Sequence, residues 1–299
     1  MTILVAGGNG RLGRAVLAQL GAAGVAGVRR TGIAGSVWID NDGHVDPAAL
    51  AGVTAIINCA GRVTGTAAEI NAANVAYPLE LARAARTAGV QRFVQVSSFS
   101  VYGRVERIDA QTPFSPDGDY GRSKIAAEQG LAALASADFA TVALRLPFMF
   151  SVNEPALMGR LVPLVRRLHL LPVRRGAPAR RSMITYAGAA EALLIAAHGT
   201  TDGASVESAA DPQPLALDAI ARALQMQGHR VATLPLPGAA IALAAWLVPG
   251  VADRLFRSSV LIDGQNLMRG GTAYPVANEL ISYIEQLDRR SAGQPDENW

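Results

Sequence analysis

Short apolar runs alternate with longer segments of mixed polarity through the first half of the chain. The runs are rich in valine and isoleucine and too short for helices, so they predict strands at residues 3–6, 25–28, 37–39, 55–58, 92–97 and 141–146. Apolar positions at helical spacing predict helices at residues 10–20, 77–88 and 120–134. This alternation is typical of βαβ units, and the sequence therefore predicts an α/β fold with a doubly wound, mainly parallel sheet.

The alternation weakens after Pro147, where prolines and arginines become frequent. Residues 161–181 predict a loop and a short helix over a pocket, whereas the pattern of residues 215–287 is mostly helical. We therefore expect two parts, a sheet domain of residues 1–150 and 182–210 and a smaller C-terminal substrate-binding part of residues 151–181 and 211–299.

One long apolar run, residues 234–251, has the composition of a membrane segment. Pro235, Pro237 and Pro249 interrupt it and leave a helix of about a dozen residues, whereas a helix needs about 20 residues to span a bilayer. We therefore expect no transmembrane segment. The helix is expected to pack against a core or another subunit, with contact to a membrane surface as the alternative.

The composition of the 299 residues narrows the classes of protein and of site. Half of the residues are hydrophobic, and arginines are scattered among acids with a formal net charge of +3, so we expect no nucleic-acid surface. Cys59 is the only cysteine, which excludes an internal disulfide and favours a reducing cytoplasm. The four histidines lack metal-ligand spacing, so we predict no metal site. The chain opens directly into the first strand, so we expect no secretion.

A glycine-rich turn, G-x-x-G-x-x-G at residues 7–13, joins the first predicted strand to the first predicted helix. Glycine permits a tight turn and lets a pyrophosphate approach the backbone, while the helix N-terminus supplies N–H groups and positive potential. A glycine-rich connector without a ligand is the alternative, but the position between strand and helix favours dinucleotide binding. The candidate contacts are Gly7, Asn9, Gly10, Arg11, Leu12 and Gly13.

The residues after the next strands bear on which dinucleotide binds. An acidic side chain after the second strand usually bonds the adenine ribose, but this chain has Arg29 and Arg30 there. Two guanidinium groups suit a 2′-phosphate, so NADP(H) is predicted over NAD(H), the alternative being that both cap a strand end in solvent. Asp40 is a candidate acceptor for the adenine amino group. Small residues after the fourth strand leave room for the cofactor, unless they form an ordinary turn: Cys59, Ala60 and Gly61.

Tyr120 and Lys124 lie four residues apart, so they project from one face of the predicted helix. An ammonium group beside a phenol lowers the phenol pKa and can make it a useful acid or base. A surface tyrosine and lysine at helical spacing is the alternative. Ser98, about 20 residues earlier at a strand end, can share a substrate oxygen with Tyr120. The order of glycine turn, strand-end serine and Tyr-x-x-x-Lys is more specific than any of its parts.

With these motifs in this order, the chain resembles the extended short-chain dehydrogenase/reductases, also called the NAD-dependent epimerase/dehydratase family, over nearly its whole length. The resemblance implies a Rossmann fold and a homodimer through helices beside the active site. It makes Tyr120 the acid/base, Ser98 the group that polarises the substrate oxygen, and Lys124 a ligand of the nicotinamide ribose. It also implies a role for Asn74, with Asn71 competing, and places Pro147 near the nicotinamide amide.

Segments of the C-terminal half, residues 171–175, 180–184 and 231–237, resemble bacterial enzymes that act at C4 of UDP-linked N-acetylated sugars. By charge, candidate contacts of the substrate diphosphate are Arg174, Arg175, Arg180 and Arg181, with a basic surface loop as the alternative. The resemblance favours Arg181 as the substrate arginine. The chain departs from the family elsewhere: a usual Val-Asp-Asp is Tyr-Ala-Gly at 186–188, a nucleotide-binding asparagine is Leu157, and a Gly-Trp-x-Pro has changed at 271–275. The catalytic residues therefore match more closely than those expected to bind the substrate.

The leading expectation is an NADP-dependent reductase or dehydrogenase acting at a secondary carbinol, at C4 of a nucleotide-linked sugar. A nucleotide-sugar 4-epimerase is the alternative, because one sequence does not report whether a keto intermediate rotates in the site. A non-catalytic NADP-binding sensor or scaffold is the alternative of another class. Because such relatives commonly lose the tyrosine or lysine, the presence of Ser98, Tyr120 and Lys124 argues against it.

Overall fold

The structure, a computed structural model, describes residues 1–29, 35–153, 155, 157–247, 249–262 and 266–292. In the described residues the strands are β1 Thr2–Ala6, β2 Gly24–Val28, β3 Ser36–Trp38, β4 Val53–Asn58, β5 Arg92–Ser98, β6 Arg107–Ile108, β7 Ala140–Leu146, β8 Phe148–Phe150, β9 Leu170–Arg174, β10 Arg180–Arg181, β11 Met183–Thr185, β12 Ala204–Ser208, β13 Leu215–Ala216, β14 Ala232–Leu236 and β15 Val260–Leu261. The α-helices are α1 Arg11–Leu20, α2 Ala67–Asn71, α3 Tyr77–Thr87, α4 Asp119–Ala132, α5 Met158–Leu168, α6 Tyr186–His198, α7 Ala219–Met226, α8 Gly238–Leu247, α9 Pro249–Phe256 and α10 Val276–Ser291.

Seven parallel strands form the central sheet, in the order β12-β7-β5-β4-β1-β2-β3. The chain builds outward from β1 in both directions, to β2 and β3 on one side and to β4 and beyond on the other. A crevice therefore opens between the loops that follow β1 and β4, where doubly wound sheets bind their ligands. The predicted doubly wound parallel sheet is confirmed, with β12 added to the strands that the sequence indicated.

Helices cover both faces of this sheet, which explains why its central strands β1 and β4 are mostly apolar and buried. Along β1, Ile3 and Val5 belong to the core beneath α1 and α6, whereas Leu4 and Ala6 belong to the core beneath α3 and α4. All four side chains are fully buried. This two-sided burial fixes β1 and so fixes the start of the glycine turn.

A further core lies in the C-terminal half, between α5, α7, α10 and β9. The helix predicted within 161–181 is present as α5, which has eleven residues, but the predicted loop is wrong in part because β9 follows the helix. Leu161, Val162 and Val165 bury one face of α5 in this core. Pro172 is tolerated in β9 because that strand belongs to a two-stranded sheet with β14 and lies at an edge. The boundary between the two predicted parts remains a prediction.

Helix α8 lies within the apolar run of residues 234–251 and has about the predicted length. None of its described residues is buried, and Leu243 and Trp246 are 57% and 78% exposed. The expectation that this helix packs against a core of its own chain is therefore wrong. Its residues are apolar on every side, so no single face is favoured for burial. Among the described residues, no helix has both the length and the apolarity needed to cross a membrane.

Candidate active site

The glycine turn after β1 is closely packed. Gly7 has a φ of 74° and its carbonyl accepts a hydrogen bond from the Gly10 N–H at 2.8 Å. A Cβ at Gly13 would lie 2.3 Å from the Gly7 oxygen, and one at Gly7 would lie 2.8 Å from the Ala60 nitrogen. Only glycine therefore leaves the loops after β1 and β4 at this separation.

Helix α1 begins directly at this turn. Its N-cap is Gly10, which has no side chain that would compete for the first N–H groups, and the N-terminus of a helix attracts anions. Asn9 and Arg11 are exposed beside the turn, while the Leu12 side chain is buried in the core and leaves only its backbone for a ligand. The cradle that a Cβ would fill and these N–H groups fit the pyrophosphate of a dinucleotide.

The loop after β4 brings the predicted cofactor residues next to the predicted catalytic ones. Asn58 is fully buried and accepts a hydrogen bond from the Ala60 N–H at 3.1 Å, which shapes the loop. A Cβ at Gly61 would lie 3.4 Å from Lys124 Nζ, so this position adjoins the lysine. Burial raises the pKa of the Cys59 thiol to about 12, although the charge of Lys124 lowers it. Cys59 is therefore a neutral lining group at physiological pH.

Arg29, one of the two residues expected to select the dinucleotide, follows β2, which lies on the side of β1 away from β4. Arg29 is exposed just after β2. Burial raises the pKa of the nearby Tyr77 to about 12, and the charge of Arg29 lowers it by a smaller amount. Arg30 lies outside the described residues.

Asp40 forms a local turn. Its Oδ1 accepts hydrogen bonds from the N–H groups of Asp42 and His44 at 2.9 and 2.8 Å. Desolvation raises the pKa of Asp40, but these hydrogen bonds and the His44 ring together lower it by more, so the pKa is lowered overall. Asp40, Asp42 and His44 each place one ligand atom within 4.8 Å of the others, a grouping that histidine spacing did not reveal. Because such exposed turns are held by their own hydrogen bonds, we assign no metal to it.

Ser98 ends β5 and Tyr120 begins the first turn of α4, which brings the two hydroxyl groups together. Burial raises the pKa of Tyr120 above its ordinary value, and a hydrogen bond with the Ser98 side chain lowers it by less. The expectation that Lys124 depresses this pKa is wrong for the chain alone. The ammonium lies 5.5 Å from the centre of the Tyr120 ring and donates instead to the Val96 carbonyl at 2.9 Å.

Lys124 is the single lysine of the chain, whereas arginines are numerous. Its side chain is buried, with 3% of the residue exposed. Burial lowers the pKa of Lys124 to about 8, although Glu128 and Cys59 raise it. Arginine is therefore not equivalent to lysine at position 124, because its guanidinium is larger and stays charged, whereas the compact ammonium of lysine has a pKa that burial can lower.

Asn74 lies in a π-helical turn, Ala72–Ala76, between α2 and α3. It is fully buried, and its amide exchanges two hydrogen bonds of 2.8 Å with the backbone of Arg62. It also donates to Ser123 Oγ at 3.0 Å, beside Lys124 on α4. Asn71, the competing candidate, is exposed. The structure thus places Asn74 at the site, and turns of this kind are frequent at functional sites.

The candidate substrate arginines have partners within the protein. Arg181 Nη2 donates to the Asp253 carbonyl at 2.6 Å, and Arg174 Nε donates to the Ala177 carbonyl at 3.1 Å. Pro147 is buried between β7 and β8, on the sheet edge where β5 also ends. Contact of either arginine with a diphosphate remains a prediction.

A buried ion pair next to Lys124 escaped the sequence analysis. Arg145 Nη2 lies 2.6 Å from Glu128 Oε2, and Arg145 Nε lies 3.1 Å from Oε1. Glu128 also accepts a short hydrogen bond from Ser97. The signal was present in the sequence, because Glu128 follows Lys124 by four residues and so shares its helix face.

The geometry agrees with what the comparison with protein families finds. The model of the NAD dependent epimerase/dehydratase family matches residues 3–203. The chain belongs to this family. A curated relative, the uncharacterised protein y4nL of Sinorhizobium fredii (strain NBRC 101917 / NGR234), is 29% identical over 168 residues, which are 54% of this chain and 47% of that protein. The chain thus spans about half the length of the curated relative it matches.

Solved structures with similar folds cover nearly the whole chain. The UDP-N-acetylglucosamine 4-epimerase from Bacillus cereus has a TM-score of 0.76 at 17% identity, covering 96% of this chain and 99% of its own. MoeE5 in complex with UDP-glucose and NAD has a TM-score of 0.72 at 22% identity, covering 98% and 100%. A dTDP-4-dehydrorhamnose reductase from Clostridium acetobutylicum has 0.68 at 18%, covering 96% and 100%. These similarities confirm the Rossmann-type fold, and the family match confirms the predicted family.

Proposed function

We propose that this member of the family is a nicotinamide-dependent oxidoreductase that transfers a hydride at C4 of a nucleotide-linked sugar. The observation that carries the proposal is the meeting of Ser98, Tyr120 and Lys124 at the sheet edge beside the Gly7–Gly13 cradle. A hydroxyl pair beside a buried ammonium, next to a dinucleotide site, suits the interconversion of a secondary alcohol and a ketone.

The described residues would divide the binding of the dinucleotide among them. The glycine cradle and the first N–H groups of α1 would hold its pyrophosphate, Lys124 its nicotinamide ribose and Pro147 its amide. When bound, the nicotinamide supplies or accepts the hydride. The protein supplies the proton and the polarisation of the substrate oxygen.

Tyr120 is the proposed proton donor for the reductive direction. Burial raises the pKa of its phenol, so the phenol is protonated at neutral pH and has a proton to give to a ketone oxygen. Ser98, which is hydrogen-bonded to Tyr120, would share that oxygen and polarise the carbonyl. The positive charge of Lys124, which lies close to the Tyr120 ring, would stabilise the negative charge that develops on the tyrosine when it gives up its proton.

We further propose NADP(H) as the preferred cofactor, supported by two arginines after β2 at the place of the usual acidic residue. A nucleotide sugar is the proposed substrate, supported by the similarity of the C-terminal segments to enzymes for UDP-linked sugars. A homodimer, which the family resemblance implies, and a cytoplasmic location, which the single cysteine favours, remain predictions.

A panel of UDP- and dTDP-linked sugars, incubated with NADP⁺ or NAD⁺, and of their 4-keto forms, incubated with NADPH or NADH, tests the proposal. Net oxidation of the reduced cofactor supports a reductase, whereas turnover without net cofactor change identifies a 4-epimerase. Binding of the dinucleotide without turnover on any member of the panel would identify the sensor or scaffold instead. Tyr120→Phe removes the transferable proton and is expected to lower kcat by at least a hundredfold.

A further inference from the structure

Three side chains of α4 form a row that faces the end of β5. Tyr120, Lys124 and Glu128 follow one another at intervals of four residues, so each lies one turn from the next. Each meets one residue of the strand: Tyr120 bonds the Ser98 side chain, Lys124 donates to the Val96 carbonyl, and Glu128 accepts from Ser97 Oγ. The acid/base pair is therefore the outer part of a longer contact that ends at a buried carboxylate.

Arg145 holds that carboxylate from the neighbouring strand. It is the partner of Ser97 in the register of β5 and β7, and its guanidinium makes two hydrogen bonds to Glu128. Its Nη1 donates to the Tyr102 hydroxyl at 2.8 Å, and the guanidinium lies 5.2 and 4.8 Å from the ring centres of Tyr102 and Phe114. Because the Arg145 guanidinium is held by all of these contacts, it fixes the position of the Glu128 carboxylate.

On the basis of the proposed function, we propose that Glu128 and Arg145 are positioning residues for the reaction. Arg145 fixes the carboxylate of Glu128, and Glu128, one helical turn after Lys124, is in turn the counter-charge that keeps the buried ammonium charged. The pair also ties the strand end to the helix, because Glu128 accepts a hydrogen bond from Ser97, the neighbour of Ser98 in β5.

The charges around Lys124 give the expected direction. Tyr120 and Glu128 face it from α4, Cys59 faces it from the loop after β4, and the Val96 carbonyl faces it from β5. Arg145, on β7, faces Glu128 and offsets part of its charge. A buried ammonium that loses a nearby carboxylate binds its proton less tightly. Removal of the Glu128 charge must therefore move the titration of Lys124 to lower pH.

The single lysine makes this measurable without any substrate. Protein labelled with ¹⁵Nζ-lysine gives one lysine side-chain resonance, which reports the protonation of Lys124 directly. In the wild-type chain its midpoint is expected near pH 8. Glu128→Gln should move the midpoint down by at least about half a pH unit. Glu285→Gln, at an exposed glutamate of α10, is the matched control and should leave the midpoint unchanged.

If the pair had a purely structural role, the titration midpoint of Lys124 would be unchanged in variants that fold. The double variant Glu128→Gln/Arg145→Gln removes both members of the ion pair, so it leaves no unpaired guanidinium and should be folded even where the single variant is not. It should still show a lowered midpoint, because the farther charge of Arg145 offsets Glu128 only in part. An unchanged midpoint in the folded single or double variant overturns the proposal.

Turnover is the second readout and separates this inference from the proposed function. With an active substrate, Glu128→Gln should lower kcat about tenfold, change KM less than threefold, and move the alkaline limb of kcat to lower pH. A KM change with an unshifted limb overturns the positioning role. If no substrate turns over, the proposed function fails, while the lysine resonance still decides the inference.

Discussion

Replacing Gly13 with alanine should close the cradle that we assign to the pyrophosphate. The new Cβ would lie 2.3 Å from the Gly7 oxygen and 2.8 Å from Gly8 Cα, whereas ordinary contacts begin at 3.4 Å. Both obstructing groups are backbone, so no side chain can turn away, and the start of α1 must move by about 1 Å. Overpacking of this kind costs roughly 1–3 kcal/mol. Since about 1.4 kcal/mol is a tenfold change in affinity, a cost of this size at the binding site should weaken NADPH binding by about 5- to 150-fold.

Fluorescence titration of the variant with NADPH measures this loss, and circular dichroism shows that the chain is folded. Gly270→Ala is the matched control, because a Cβ at Gly270 meets no atom within 4 Å. It should bind NADPH as the wild type does. Wild-type affinity in a folded Gly13→Ala variant would refute the assignment of this turn to the cofactor.

Three other predictions concern the lysine, the arginines after β2 and the buried asparagine. Burial lowers the pKa of Lys124 to about 8 in the folded chain, so the unfolded chain binds more protons above that pH. The free energy of unfolding of the wild type should therefore rise from about pH 8 to 10 relative to that of Lys124→Met. Urea unfolding at several pH values checks this, and the same pH dependence in both proteins would contradict it. Arg29→Ala combined with Arg30→Ala should weaken NADPH about tenfold and leave NADH unchanged in titrations, whereas equal losses would refute the 2′-phosphate assignment. Asn74→Ala, which strands buried partners, should lower stability by about 1–3 kcal/mol and reduce kcat, while Asn71→Ala should do neither; equal effects in thermal unfolding and turnover would count against the assignment.

The sheet was predictable because its strands are buried on both faces and appear as continuous apolar runs. Strand β12 and helix α6 were not placed individually, because no motif marks the stretch of 182–210 that carries them. Residues 161–181 were predicted as a loop and a short helix because prolines and arginines are frequent there, yet one face of α5 is buried along its eleven residues and β9 forms an edge strand. In each of these places, tertiary packing outweighed the local pattern.

The candidate site divides in the same way. The glycine turn and the Ser98, Tyr120 and Lys124 positions follow from motifs whose members are close in sequence. The choice between Asn74 and Asn71 depends on a π-helical turn that changes the helical phase, which spacing alone does not show. The pairing of Glu128 with Arg145 depends on the packing of α4 against β7.

Transfer of deuterium from [4-²H]NADPH to the sugar tests the central claim most directly. With the keto sugar that turns over, mass spectrometry of the product should show one deuterium on the carbinol carbon. The deuterium-bearing product should form in the wild-type enzyme and be lost in Tyr120→Phe. A product without deuterium, or one formed equally fast by Tyr120→Phe, would contradict hydride transfer assisted by Tyr120.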